Sequence, residues 1–87
     1  MKVNFVGELR NVAKGKEFNR KNGETDFNVN ISVEVDGVPQ YFSTNKDVLK
    51  AFENGVIKKG SICTFEADYQ PRWKFNQFIV VSAVAQR

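Results

Sequence analysis

Two short segments of the sequence combine positive charge with aromatic rings. Residues 10–21 contain five basic side chains and one acid, Glu17, with Phe18 among them. Further along the chain, residues 72–75 alternate cations with rings in the order Arg-Trp-Lys-Phe. Cations pair with phosphates and flat rings stack on exposed bases, whereas a duplex keeps its base faces covered. The two segments therefore predict binding to single-stranded nucleic acid.

The net positive charge is concentrated in these two segments. The chain carries a formal net charge of +3, and the residues outside 10–21 and 69–76 sum to a net negative charge. Such a distribution is typical of a protein that docks an anionic partner on one face. We predict that seven cations neutralise phosphates and that three rings stack on bases. The phosphate contacts are Arg10, Lys14, Lys16, Arg20, Lys21, Arg72 and Lys74, and the stacking residues are Phe18, Tyr41 and Trp73.

The composition disfavours most enzymes. The chain has no histidine and one cysteine, Cys63, so a zinc, haem or histidine-based catalytic site is not expected. We therefore expect no enzymatic activity, no cofactor, no metal and no small-molecule substrate. No apolar run approaches the roughly 20 residues that span a bilayer, and the first residues resemble a strand rather than a signal peptide. The expected location is the cytoplasm, or the host-cell cytoplasm for a viral protein, with no membrane partner.

Alternation of apolar and polar residues predicts five strands and one helix in a single domain, residues 1–87. The helix has Thr44 and Asp47 spaced as a capping box and Asn54-Gly55 as a stop signal. The predicted strands cover residues 2–10, 27–35, 38–44, 63–69 and 77–85, and the helix covers 47–54. This order predicts an all-β, five-stranded Greek-key barrel of the OB-fold, with the short α-helix between strands 3 and 4. An SH3-like barrel is the alternative, but it usually lacks that helix.

The OB-fold assigns positions to the candidate residues. The basic segments become the loops after strands 1 and 4, which we expect on the same side of the binding surface. Tyr41 and Phe42 are adjacent in a strand and must face opposite ways, and the phase of the strand places Phe42 inward. Phe78 is assigned to the core or to a dimer interface. The predicted aromatic core is Phe5, Phe27, Phe52 and Phe65, while Lys46, Lys50, Lys58 and Lys59 are interpreted as an ordinary solvated face.

The layout resembles the small helix-destabilising single-stranded DNA-binding proteins of filamentous phages, the gene V type, over nearly the whole chain. Three features carry this resemblance. They are Met1-Lys2-Val3, the predicted turn with basic residues at 18–23 leading into Phe27-Asn28-Val29-Asn30, and the hairpin of residues 73–78. The resemblance implies that Phe18, Arg20 and Lys21 form a DNA-binding wing and that residues 75–78 contribute to a homodimer seam. It also implies a protein that coats and protects single-stranded DNA during replication.

Other interpretations stay open. The helix and the charges at residues 72–74 depart from the phage pattern and fit a plasmid, transposon or bacterial-virus relative that uses the ordinary OB cleft, where Trp73 stacks on DNA or builds a dimer. An RNA-binding OB module is a second possibility, although Asn28, Asn30 and Ser32 stand where consecutive aromatics are typical. A third is a protein-interaction subunit anchored by Trp73 and Phe75.

Overall fold

The computed structural model describes residues 1–72 and 75–86, with the backbone alone described for residues 71, 72 and 75–77. The strands pair in the order β1-β2-β3-β5-β4 and close into a barrel. All neighbours are antiparallel except β3 and β5, which are parallel. The elements are β1 (Lys2–Asn19), β2 (Thr25–Val35), β3 (Val38–Thr44), α1 (Lys46–Glu53), β4 (Ile62–Arg72) and β5 (Phe75–Ala85). The predicted OB-fold, with its helix between strands 3 and 4, is confirmed.

The barrel interior is filled by alternate residues of the five strands and by the inner face of α1. Phe65 is fully buried and stacks on Phe5, with the ring centroids 5.2 Å apart. Phe5, Phe27 and Phe52 are half-buried and pack against this core, so they line its margin rather than its centre. Cys63 is fully buried in the core as a small apolar residue, and this burial raises the pKa of its thiol.

The first strand closes the barrel by pairing with two partners. Its first half pairs with β4 and its second half with β2, and Glu8 lies at the change, opposite both Ile62 and Glu34. Gly7 is needed beside this point because a Cβ there would lie 2.6 Å from Cγ1 of Val33 and 2.9 Å from the carbonyl oxygen of Glu34. The absence of a side chain at Gly7 allows β1 and β2 to approach closely.

Helix α1 begins at a different cap from the one predicted. The N-cap is Asn45, whose side-chain oxygen accepts a hydrogen bond from the backbone N–H of Val48 at 2.9 Å. The predicted capping pair of Thr44 and Asp47 is wrong, because the Thr44 hydroxyl donates instead to the carbonyl of Val80 at 2.7 Å. The start of the helix is thereby fixed to β5. The described residues contain no helix that is long and apolar enough to cross a membrane.

The two predicted basic loops are mostly strand. β1 runs nine residues beyond its predicted end at residue 10, to Asn19, and β4 and β5 pair out to Arg72 and Phe75. From Ala13 to Asn19, every β1 residue except half-buried Gly15 is exposed, so no apolar alternation is required in this part of β1. Register shifts between Leu9 and Asn11 and between Lys14 and Glu17 further disrupt the period. Four candidate residues assigned to a loop, Lys14, Lys16, Phe18 and Arg72, therefore lie on a strand.

Candidate nucleic-acid interface

The ends of β1 and β2 form a projecting hairpin, residues 13–30, which we call the basic hairpin. Its pairing extends from Ala13 opposite Asn30 to Asn19 opposite Thr25. Arg20 closes the turn by donating its N–H to the carbonyl of Glu24 at 2.7 Å, and Gly23 takes a positive φ of 87°. The Asn22-Gly23 signal therefore marks the turn as predicted. Strand pairing makes the hairpin an ordered support for the charges that it carries.

The cations of the basic hairpin are exposed but differ in their neighbours. Lys14 donates to Glu17 at 2.8 Å, and this hydrogen bond, together with the lysine charge, lowers the pKa of Glu17. Lys16 and Lys21 form no ion pair with any described residue, so both ammonium groups are available to a ligand. Arg20 forms an ion pair with Asp26, which also belongs to the hairpin. Of the cations in the hairpin, Lys16 and Lys21 are therefore the two that no described carboxylate binds.

Arg10 lies apart from this group. Its guanidinium lies 3.7 Å from a carboxylate oxygen of Glu8 and 3.8 Å from one of Glu34. With Lys59, it lines a separate pocket of about 380 Å³. The structure therefore does not bring Arg10 together with Phe18, which lies eight residues further along the same strand.

An open groove of about 400 Å³ separates the basic hairpin from the start of α1, and we call it the hairpin groove. The Phe18 ring, 42% exposed, forms part of its wall. Other residues lining the groove are Arg20, Asp26, Phe27, Asn45 and Lys46. The groove thus combines an exposed ring with cations from two elements, the hairpin and the helix.

Asp26 joins the two sides of the hairpin groove. It is 6% exposed and accepts hydrogen bonds from Arg20 Nε at 2.6 Å, from Arg20 Nη2, from Lys46 Nζ at 2.5 Å and from the Phe27 N–H at 2.8 Å. The hydrogen bond from Lys46, followed by those from Arg20 and Phe27, holds the pKa of Asp26 well below its usual range. Asp26 is therefore ionised at neutral pH and fixes one hairpin cation and one helix cation.

Two ammonium groups also lie over the Phe27 ring. Lys14 Nζ is 4.4 Å and Lys46 Nζ is 4.9 Å from the ring centroid, within the range of cation–π attraction. The sequence-based interpretation of Lys46 as part of an ordinary solvated face is therefore wrong, since its ammonium group contacts both Asp26 and Phe27. No sequence motif signals this contact, which joins residues 20 positions apart.

The outer face of β2 and β3 adjoins the groove. Tyr41 is 77% exposed on this face, opposite Ser32, and the neighbouring outward positions of β2 include the exposed amides Asn28 and Asn30. Phe42 turns inward, as the strand phase predicts, and its ring lies 5.6 Å from that of Phe5. Tyr41 therefore offers a free aromatic surface on the β2–β3 face.

The second predicted cationic segment includes the last residue of β4 and the first residue of β5. Arg72 pairs with Phe75 at the end of the ladder, and Trp73 and Lys74 lie outside the described residues. Because β5 runs parallel to β3, with Ser43 opposite Ile79, its first residues extend toward the start of β3. The basic hairpin extends past the other end of β3, so the two hairpins flank the β2–β3 face from opposite ends. Convergence of Phe18 and Trp73 on one groove stays a prediction.

Phe78 differs from its predicted burial. The side chain is 40% exposed, with its ring 4.9 Å from that of Tyr69 and 6.5 Å from that of Phe42. Phe78 therefore packs against inward-facing Phe42 and against Tyr69, and part of its side chain stays at the surface. Of the two assignments made from the sequence, the core assignment is wrong, and the dimer interface stays a prediction.

Comparison with known proteins gives one structural match to report. No family model matches the sequence, and no curated protein matches it. The crystal structure of Rim1, a mitochondrial single-stranded DNA-binding protein from S. cerevisiae, matches with a TM-score of 0.56 and 15% identity. The match covers 98% of this chain and 94% of that chain. At this identity the likeness concerns the fold, and it shows that the chain has the OB barrel architecture of that protein.

Proposed function

We propose that this chain is a non-enzymatic protein that binds single-stranded DNA largely without regard to sequence, through one domain that spans residues 1–87. The observation that carries the proposal is the basic hairpin, where the exposed Phe18 ring lies among available cations beside the face that bears Tyr41. The similarity in fold to a protein named for single-stranded DNA binding supports the same function.

The mechanism follows from what an unpaired strand offers. Lys14, Lys16, Arg20 and Lys21 neutralise phosphates, and each contact contributes about −0.7 to the slope of log K against log salt concentration on single strands. Phe18 and Tyr41 stack on bases, and since every base has a π-face, stacking tolerates any sequence. Preference for single strands follows, because a duplex offers its phosphates but not its base faces.

The finer proposals concern the rest of the candidate residues and the biological setting. Arg10, Arg72 and Lys74 add phosphate contacts, and Trp73 adds a stacking ring. We further propose a homodimer whose seam includes residues 75–78, supported by the exposed part of the Phe78 ring. The biological role proposed is coating and protection of single-stranded DNA during replication, as in the helix-destabilising proteins of filamentous phages.

The test compares affinities for single and double strands at matched salt. Labelled oligo-dT and a duplex of equal length are titrated with the protein, and anisotropy is measured at several salt concentrations. We expect tighter binding to oligo-dT at every salt concentration, and competition by poly-U separates DNA from RNA preference. Equal affinity for the duplex would remove the basis of the proposal, because phosphate contacts alone would then explain binding.

A further inference from the structure

The start of α1 takes part in the binding surface. We propose that the hairpin groove is a nucleotide subsite in which Arg20 and Lys46 together hold one backbone phosphate while Phe18 stacks on the adjoining base. This inference rests on the proposed function and adds a helix residue, Lys46, to a surface otherwise formed by strands and their turns.

The hydrogen-bond inventory leaves donors free for a phosphate. A guanidinium has five N–H donors and an ammonium has three. Arg20 gives one donor from Nε and one from Nη2 to Asp26, and Lys46 gives one. Both cationic side chains remain more than half exposed, at 57% and 58%. Each can therefore donate to a ligand from solvent without releasing Asp26.

The charge of the cluster matches a phosphodiester. Two cations and the ionised carboxylate of Asp26 leave one net positive charge, which complements the single negative charge of a backbone phosphate. Lys14 adds a cation nearby that Glu17 offsets at 2.8 Å. Asp47 lines the helix side of the groove, so repulsion directs the phosphate toward the hairpin side, where Arg20 lies.

Asp26 acts as a positioning residue. Long cationic side chains lose rotamer freedom when they bind a ligand, and that loss weakens binding. Arg20 and Lys46 are already held by a common carboxylate that is 6% exposed. Because this ordering precedes binding, a phosphate in the groove meets two preorganised donors from different elements.

The groove also suits the base beside that phosphate. Its volume of about 400 Å³ lies in the range of small-ligand sites, roughly 300–1,000 Å³. Phe18 in its wall is 42% exposed, so part of this residue is open to a base in the groove. A strand that crosses the β2–β3 face therefore continues past the basic hairpin to α1.

The experiment compares Lys46→Met with the control variant Lys58→Met. Lys58 is also an exposed lysine, but it follows the C-terminal end of α1. We expect Lys46→Met to reduce the magnitude of the salt slope for oligo-dT by about 0.7. If the variant and the wild-type protein bind equally at 1 M salt, the variant then binds about fivefold more weakly at 0.1 M salt. Lys58→Met should keep the wild-type slope. Lys46→Arg retains the charge and should also keep the wild-type slope.

Thermal melting of each variant separates binding from folding. If Lys46→Met lowers the melting temperature but keeps the wild-type slope, Lys46 is a structural residue and the subsite is wrong. If Lys46→Met and Lys58→Met reduce the slope equally, only overall charge matters and the subsite is again wrong. If the wild-type protein itself shows no preference for oligo-dT over duplex, the proposed function fails, and the two failures are thus distinguishable.

Discussion

Replacing Tyr41 with threonine tests whether the β2–β3 face binds bases. The side chain is 77% exposed, so the substitution removes little packing from the core. Threonine retains a high preference for strands, and the free energy of unfolding should change by less than about 0.5 kcal/mol. A stacked ring contributes roughly 1–3 kcal/mol per base. Loss of that contact should weaken binding to oligo-dT roughly 5- to 140-fold.

The salt dependence gives this prediction a second readout. Tyr41 is neutral and contacts no phosphate in the proposed mechanism. The substitution Tyr41→Thr should therefore lower log K by the same amount at every salt concentration, without changing the slope of log K against log salt. Anisotropy titrations with labelled oligo-dT at four or more salt concentrations measure both quantities. Val84→Thr is the matched control, because Val84 is 65% exposed on β5 and outside the β2–β3 face. Its line should coincide with that of the wild-type protein.

A folded Tyr41→Thr variant with wild-type affinity would refute this reasoning. Such a result would mean that DNA contacts the basic hairpin without crossing the β2–β3 face. A reduced slope would contradict it differently, because the ring would then be affecting phosphate contacts rather than stacking.

Three further outcomes are expected. The double variant Lys16→Gln/Lys21→Gln should lower the magnitude of the salt slope by about 1.4 in oligo-dT titrations, since two available cations are lost. Gly7→Ala should reduce the free energy of unfolding by about 1–3 kcal/mol in urea titrations, because the new Cβ overlaps β2. Because the pKa of Asp26 is lowered, its ionised form stabilises the fold at pH values above the ordinary aspartate pKa of about 3.9. The free energy of unfolding should therefore decline as the pH falls below about 4, and it should decline less steeply in Asp26→Asn.

Each of these has a contrary result. A wild-type slope in the lysine double variant would place DNA away from the hairpin tip, and Lys50→Gln/Lys58→Gln, which removes two exposed lysines outside the proposed interface, controls for net charge. Wild-type stability of Gly7→Ala would mean that the β1–β2 crossing relaxes freely. If Asp26→Asn kept the wild-type slope of stability against pH, the acid sensitivity would come from Glu17 and Asp68, whose pKa values are also lowered.

The barrel follows from the sequence where one face of a strand is buried. In β2, alternation places Val29, Ile31 and Val33 in the core, and all three are buried. The same logic fails beyond Val12 of β1, because residues 13–19 bury no apolar side chain that would impose a period. Strand pairing there is determined by the Asn22-Gly23 turn and by β2, and its extent is not visible in the apolar pattern.

The helix cap shows how pairing between strands overrides a local signal. Thr44 and Asn45 are both good N-cap residues, and the sequence favours Thr44 because Asp47 follows at capping-box spacing. In the barrel, Thr44 still pairs with Val80 and donates its hydroxyl to that residue's carbonyl. Asn45 is therefore the first residue free to cap α1, one position after the predicted cap.

The hairpin groove depends on the same register. Val29 lies opposite Thr44, so continuing the antiparallel pairing past this point brings the residues before Val29 alongside those after Thr44. Phe27 and Asp26 thereby meet Lys46, although Lys46 belongs to the helix and Asp26 to a hairpin strand. A one-residue slip between β2 and β3 would turn Asp26 to the opposite face and separate it from Lys46. The contact of Lys46 with Asp26, which the sequence did not indicate, thus follows from a strand register, and the Lys46 variants therefore test the proposed path of the DNA as well as the charge of the surface.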